Sequence, residues 1–298
     1  MEEEAQPQLR ASVLIVSFDS APALRRCLSA LEASPERESF EIIVVDNGSH
    51  DGTLEVQHEF ANVTFLRLPR NFGFTKALNI AMRTAKSELF LFLDPRVEVR
   101  GDTVMALAAR LEAEAAAVAV APLLTAPDGT PVPKLFRLPG PGEMSEAVSR
   151  GSFAPADLPA LDNGPVAVEF AAFTALMVRG YFLKGLRYID ERYAETWNDA
   201  EIAMQIRRSN RTTLLDPGIR CTLHPEPGPF AGAPAEVKSL LASDWATGAV
   251  TFASKHYGFA AGLKLRIAVA LRALFGFRFG LLSGVLSGSK LDGTQPIP

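Results

Sequence analysis

Cysteine is scarce: the 298 residues hold two, Cys27 and Cys221. Two are too few for a disulfide framework and their spacing suits no metal site, so a reducing compartment is expected. Long apolar runs are missing as well. In the C-terminal tail the longest charge-free stretch covers residues 279–289, well short of the roughly 18–20 residues that a spanning helix needs. The first residues, MEEEAQPQLR, are acidic and polar, and no secretory signal is expected. No G-x-G-x-x-G follows the first apolar run, which argues against a nicotinamide-dependent dehydrogenase. The same turn reads SFDSAPALRR, without the glycine-rich basic loop with which a nucleotidyltransferase holds phosphate. Basic charge is not in surplus either: a formal net charge of -4 argues against nucleic acid as a partner of the whole molecule.

What is present suffices for a core. At 48 % hydrophobic and 21 % charged, the chain is not disordered, and its length suits one large domain or two small ones. Charge is unevenly placed. Residues 245–298 carry six basic side chains against one acid, Asp292, so a basic, apolar tail follows an acidic body. That contrast predicts a catalytic head that docks on something anionic.

The first 125 residues alternate between two hydrophobic periods. Residues 13–17 (VLIVS), 42–46 (IIVVD), 63–67 (VTFLR), 88–94 (ELFLFLD) and 115–122 (AAAVAVAP) read as strands, mostly apolar on both faces as in a covered parallel sheet. Helical patterns separate them. Ser20 is placed to cap a helix with Pro22 in its first turn and Leu24, Cys27, Leu28 and Leu31 on one face. Ser49 is placed to cap a second through residues 54–60; a third covers 74–84 and a fourth 102–114. This alternation predicts a doubly wound α/β layer.

From 126 to 165 prolines and glycines crowd in (PDGTPVPKLFRLPGPG) and no period survives, so a mobile functional loop is expected. A strand-like run at 166–178 follows, then a helix from near Asp199 and short strands at 213–215 and 220–224. The expected division is 1–125, 126–235 and 236–298. In the tail, Arg266, Arg272 and Arg278 would be costly at a bilayer centre, whereas a helix lying in the interface can snorkel them toward anionic headgroups. Arg266 falls roughly opposite Arg272 on a helical wheel, and a C-terminal core helix pair or a dimer interface is the competing reading.

Ligands of open α/β sheets bind at the carboxyl edge of the strands. The second run ends in VVDNGSHDGT, where Asp46 can accept hydrogen bonds from a base edge or ribose hydroxyls and Gly48 lets the chain turn; an ordinary Asn-Gly turn reads the same way. The fourth run delivers Asp94-Pro95-Arg96 to that edge. Between them RNFGFTKALNIAM offers Arg70, Asn71, Gly73 and Asn79 at a strand-to-helix entry. Tyr193 and Trp197 suit either an acceptor platform or buried packing.

In this order and spacing, ASVLIVSF, VVDNGSHDGT, RNFGFTKALNIA and LFLDPRVEV resemble the family 2 glycosyltransferases of GT-A fold, and most nearly their rhamnosyltransferase-like branch. The likeness continues through VEFAAFTALMVRGYFLKGLRYIDERYAETWNDAEIAMQIRRSNRTTLL and covers roughly residues 10–225. It implies an α/β fold with a mixed, mostly parallel central sheet, helices on both faces and a C-terminal helical tail. It implies transfer of a hexosyl or deoxyhexosyl unit from a nucleotide-diphospho-sugar to a hydroxyl of a glycan or lipid-linked glycan, at the cytoplasmic face of a membrane, in polysaccharide biosynthesis. By the resemblance, Asp46 contacts the nucleoside, and Asn71 and Gly73 line the donor pocket. Asp94 and Arg96 stand where the family's Asp-x-Asp holds Mg²⁺ or Mn²⁺ on the donor diphosphate. His224, in CTLHP, is a candidate metal ligand or phosphate contact. Asp199, in WNDAE, matches the family's general base for an inverting transfer. The competing reading makes Asp199 a helix-dipole acid and Glu201 a solvated first-turn acid.

Two residues depart from the pattern. Arg96 replaces the second acid of Asp-x-Asp; it repels a divalent ion but can pair with a diphosphate itself. Asn198 stands where a Glu is usual. An enzyme that needs no metal, one that holds metal through Asp94 and His224, and a catalytically lapsed module that binds a nucleotide-sugar or glycan all stay open.

Overall fold

The structure is a computed structural model that describes residues 9–161 and 164–293. The acidic segment 1–8, positions 162–163 of the expected loop and the last five residues of the tail lie outside the described residues. Strand and helix alternate through β1 (Ala11–Ser17), α1 (Ala21–Glu32), β2 (Phe40–Asp46), α2 (Thr53–Glu59), β3 (Thr64–Arg67), α3 (Phe74–Thr84) and β4 (Leu89–Leu93). A short β5 (Val97–Glu98), α4 (Thr103–Ala113) and β6 (Ala117–Thr125) follow. Then come β7 (Leu135–Arg137), α5 (Met144–Arg150), β8 (Ala154–Pro155), β9 (Val166–Val168), β10 (Phe170–Ala171) and β11 (Ala175–Arg179). Next are α6 (Gly180–Gly185), α7 (Asn198–Arg208) and β12 (Thr212–Leu223). The helices α8 (Ala235–Tyr257), α9 (Phe259–Phe275) and α10 (Phe279–Ser287) make up the tail.

The central sheet has the order β3-β2-β1-β4-β11-β6-β12-β5, with β9 paired to β12. β1 to β4 pair in parallel, β6 pairs in parallel with β12, and β11 lies antiparallel between β4 and β6. The mixed, doubly wound layer expected from the alternating periods is what forms. Successive strand residues feed two different cores. Val13, Ile15, Val44 and Leu91 pack on one face, and Leu14, Ile43, Val45 and Phe92 on the other. Covering both faces is why these strands read as unbroken apolar runs.

Three local expectations change. Residues 126–161 carry β7, β8 and α5 where an irregular loop was expected, and β7 and β8 form a small antiparallel sheet with β10. Leu138, Met144, Ala147 and Phe153 from this stretch are buried against Phe170 and Trp197. Their spacing has no period because each reaches the core from a different short element. The run at 166–178 is not one strand: β9 joins β12, β10 the small sheet and β11 the centre. The two strands expected near 213–215 and 220–224 are one, β12, whose register slips between Asp216 and Arg220 around Pro217 and Gly218.

The tail packs as core helices, as the competing reading of its sequence expected. Ala246, Ala249 and Phe252 of α8 pack on Trp197, joined by Leu265, Val269 and Val285 from α9 and α10. A side chain at Gly284 would collide with Ser243, so α10 lies closely on α8. Arg266 turns inward and donates to the carbonyls of Val285, at 3.1 Å, and Leu286, at 2.6 Å, satisfying the end of α10. Arg272 donates to Ser149 Oγ on α5. The two arginines therefore fall on opposite sides of the wheel because each ties α9 to a different neighbour. The outward face of α9 is apolar: Phe259, Leu263, Ile267, Leu271 and Phe275 are exposed at four-residue spacing. Among the described residues no helix is long and apolar enough to cross a membrane.

Glu201 joins α7 to α8 and is not the solvated acid expected of a first helical turn. It is buried; Oε2 accepts from Tyr193 Oη at 2.9 Å and lies 2.6 Å from His256 Nε2. Its Oε1 accepts from Gln205 Nε2 at 2.7 Å and from Lys255 Nζ at 2.8 Å. Burial alone would raise its pKa, but the hydrogen bonds from His256, Lys255 and Gln205 outweigh that and hold it at about 2. This stabilisation is present above the ordinary carboxylate range and is lost as pH falls toward 2. Glu201→Ala should cost about 3 kcal/mol at neutral pH in urea unfolding, because it leaves the buried Tyr193 hydroxyl and His256 ring without their acceptor and Lys255 with Asp190 alone. An unchanged unfolding midpoint would mean that the network adds nothing.

Candidate active site

The two faces of the sheet are apolar, so polar groups collect where the strands end. β1 ends at Ser17 and β4 at Leu93, and the turns that follow, with the N-terminus of α7, enclose a cavity of about 620 Å³. A cavity of that volume suits a ligand of cofactor size. Its polar walls are Asp19, Asp94, Arg96, Glu195, Asp199 and Glu226.

The turns after β1 and β2 are knitted together. Ser49 does not cap α2; its Oγ accepts from Asp19 N at 3.0 Å, and Asp19 Oδ1 accepts from His50 N at 2.7 Å. The capping falls to Asp51, whose Oδ1 takes Thr53 N at 3.0 Å while Oδ2 takes Ala21 N of α1 at 2.8 Å. Asp46 is 3 % exposed; Oδ1 accepts from Ser49 N at 2.9 Å. Its Oδ2 is buried without a hydrogen bond, 3.8 Å from Arg67 Nε. Asn71 Oδ1 accepts from Asn47 Nδ2 at 2.9 Å and from Gly73 N at 2.8 Å. Gly73 has φ +83°, and the carbonyl of Leu291 occupies the space of a side chain there. Asp46, Asn71 and Gly73 thus shape the sheet edge from outside the cavity lining, while Asp94, Arg96 and Asp199 line it.

Asp199 stands in the first turn of α7 and its Oδ1 accepts from Ala200 N at 2.8 Å. Burial pushes its carboxyl up to about 6, against the pull of the backbone hydrogen bonds. Glu195, which no sequence pattern singled out, faces the same cavity. Its Oε2 accepts from Phe74 N at the start of α3, at 2.9 Å. Burial, reinforced by the charge of Asp244, pushes Glu195 up to about 8. The only local hint is its place four residues before Asp199. Tyr193 and Trp197 are buried in the core joining α7 to α8, so of their two expected roles they serve packing.

Arg96 and Asp94 are clasped together. Nε donates to Oδ1 at 2.9 Å, Nη2 to Oδ2 at 2.7 Å, and the Arg96 backbone N–H also reaches Oδ1 at 2.9 Å. His224 does not join Asp94: its Nε2 lies 2.7 Å from Glu98 Oε2. Among the described residues no group of three or more His, Cys, Asp or Glu is arranged to hold a metal ion. Both Asp94 oxygens are engaged by a guanidinium, so the residues present do not fit the divalent ion implied by the resemblance. Cys27 and Cys221 are free, buried thiols far from that role; burial pushes Cys221 up to about 12.

This architecture is the GT-A fold of glycosyltransferases. The solved mannosyltransferase PcManGT of Pyrobaculum calidifontis, in complex with GDP-Man and Mn²⁺, is similar with a TM-score of 0.55 at 16 % identity, covering 94 % of this chain and 74 % of that one. Residues 12–154 match the family model for Glycosyl transferase family 2. The uncharacterized glycosyltransferase YfnE of Bacillus subtilis is 34 % identical over 99 residues, 32 % of this chain and 25 % of that protein. The undecaprenyl-phosphate 4-deoxy-4-formamido-L-arabinose transferase of Aeromonas hydrophila is 32 % identical over 90 residues, 28 % of each chain. The chain thus spans about a quarter of the length of these curated relatives.

The raised pKa of Glu195 has a consequence for stability. The folded protein binds this proton more tightly than the unfolded chain, so stability falls as pH rises from the ordinary carboxylate range to about 8. Glu195→Gln, which keeps an acceptor for Phe74 N, should gain thermal stability relative to the parent across that window and level off above it. A difference that does not change with pH would place the Glu195 charge in water.

Proposed function

We propose that the protein is a glycosyltransferase that moves a sugar from a nucleotide-diphospho-sugar to a hydroxyl of a glycan or lipid-linked glycan, with inversion. The observation that carries this reading is the shared cavity, in which Asp199 on α7 faces the strand-end pair Asp94 and Arg96. In an inverting transfer one carboxylate must take the acceptor proton as that oxygen attacks the anomeric carbon, and Asp199 is the group given that role. A carboxyl raised to about 6 is ionised at neutral pH and a stronger base than a solvated Asp. Asp46, at the adjoining strand end, is assigned to the donor's base or ribose, with Asn71 and Gly73 setting the course of the turn beside it. The rhamnosyltransferase-like branch makes a hexosyl or deoxyhexosyl unit the expected cargo. The name of the A. hydrophila relative, a transferase of undecaprenyl-phosphate, supports a lipid-linked acceptor.

The head is assigned to a membrane surface on the cytoplasmic side, held by α9. Phe275 and Phe277 are 78 % and 80 % exposed, and Lys264 and Arg278 flank the same apolar stripe. The buried thiols Cys27 and Cys221 accord with a reducing compartment. A lapsed enzyme that only binds its ligand is the second reading, favoured by the arginine clasp on Asp94.

Two experiments bear on this. Asp199→Asn should abolish transfer and leave nucleotide-sugar affinity nearly intact; in the parent, kcat/KM should fall about tenfold per pH unit below about 6, where the base is protonated. Transfer that survives the substitution removes Asp199 from the role, and absence of any transfer by the parent favours the lapsed enzyme. For the tail, Phe275→Asp combined with Phe277→Asp should release the protein from vesicles containing anionic lipid without lowering its unfolding temperature. Unchanged sedimentation with vesicles would end the membrane assignment.

A further inference from the structure

The misfit between the Asp94 site and a divalent ion leaves the donor's diphosphate without a counter-charge, and the structure holds a second guanidinium close by. Arg26 of α1 grips Glu226 with both nitrogens, Nη1 to Oε1 at 2.5 Å and Nη2 to Oε2 at 2.8 Å. Its Nε is buried and donates to nothing. The Glu226 backbone carbonyl faces Arg96, 3.5 Å from Nη1. Glu226 itself lines the cavity, and so do Pro227, Gly228 and Pro229 after it. This segment joins β12 to α8 without helix or strand and is held to the far wall by Phe230, whose ring lies 5.4 Å from that of Phe18.

We infer that Arg26 and Arg96 together form a metal-free cradle for the diphosphate of the donor, and that Glu226 is the resident anion that occupies Arg26 until the donor displaces it. The inference rests on reading this cavity as the donor site. A guanidinium fork that takes a carboxylate through two parallel bonds matches a phosphate in the same geometry. The charge balance also favours the exchange. With Glu226 on Arg26 and Asp94 on Arg96, the four groups sum to zero and offer a diphosphate nothing. With Glu226 withdrawn, the two arginines and Asp94 carry one net positive charge. The pairs are partly sheltered, Arg26 and Glu226 with 29 % and 34 % of their side chains exposed and Arg96 and Asp94 with 28 % and 24 %, so water screens them incompletely. Glu226 stands on a segment free of regular structure, and can withdraw without disturbing the sheet. Asp94 then acts as a positioning residue that fixes the plane of the Arg96 guanidinium.

Calorimetric titration of the full chain with pyrophosphate, UDP and GDP, in excess EDTA and again in Mn²⁺, tests this. Pyrophosphate and at least one of the nucleotides should bind in EDTA. Arg26→Gln and Arg96→Gln should each weaken that binding roughly tenfold or more, the loss of one charge-assisted contact. Glu226→Gln should tighten it, since the competing anion is gone. Damage to the fold weakens binding in every variant and cannot produce this opposite sign; unfolding temperatures without ligand check the point. Nucleotide binding that requires Mn²⁺, or that is indifferent to both arginines, overturns the cradle while leaving the donor site in place. No binding of any probe in either buffer overturns the donor-site reading and the cradle with it.

Discussion

A sheet covered on both faces has nowhere to keep polar groups except its ends, and the rest of this molecule follows from that. Every residue of β4 is buried, and the first charge the chain reaches beyond it is Asp94. From Ile42 on, β2 likewise runs buried and apolar up to Asp46. β11 enters the sheet antiparallel between β4 and β6, bringing Thr174 beside Asp94, whose N–H bonds to its carbonyl at 2.9 Å. The cavity is the space these ends leave, closed from one side by α7 and from another by the segment after β12.

Around the start of α7 the carboxyl groups differ sharply in state. Glu195 and Asp199 are made weaker acids by burial, whereas Glu201, two residues beyond Asp199, is made a stronger one by the hydrogen bonds from His256, Lys255 and Gln205. One short piece of chain therefore holds two carboxyls that burial makes weaker acids and one that its partners hold as an anion. What separates them is the partner each meets: a backbone amide for Asp199 and Glu195, and His256, Lys255 and Gln205 for Glu201.

Much of this was legible in the sequence, where the signal is local. The strands of the first half and helix α3 stood out because their apolar residues keep one period over a whole element. Asp46 and Asp94 could be placed at one edge because strand ends share it, whereas Asp199 was placed there only by the resemblance. The remainder depends on contacts between distant parts. Arg26 and Glu226 are 200 positions apart, and no pattern in either neighbourhood announces the other. Glu201 looked like a solvated acid because its burial is imposed by α8, and His256 had no context until it met that carboxylate. The small sheet of β7, β8 and β10 was hidden by brevity, its strands being two or three residues long.

Both tryptophans of the chain, Trp197 and Trp245, lie in the core that joins α7 to α8, with ring centroids 5.1 Å apart. Trp197 immediately precedes the turn carrying Asp199. The tryptophan fluorescence of the protein thus arises from one junction, beside the group assigned as base and in a different core from those packed on β1, β2 and β3. An emission change would report on the seating of α7 against the tail helices, while the strand core would stay optically silent unless tyrosine or far-ultraviolet signals were followed alongside it.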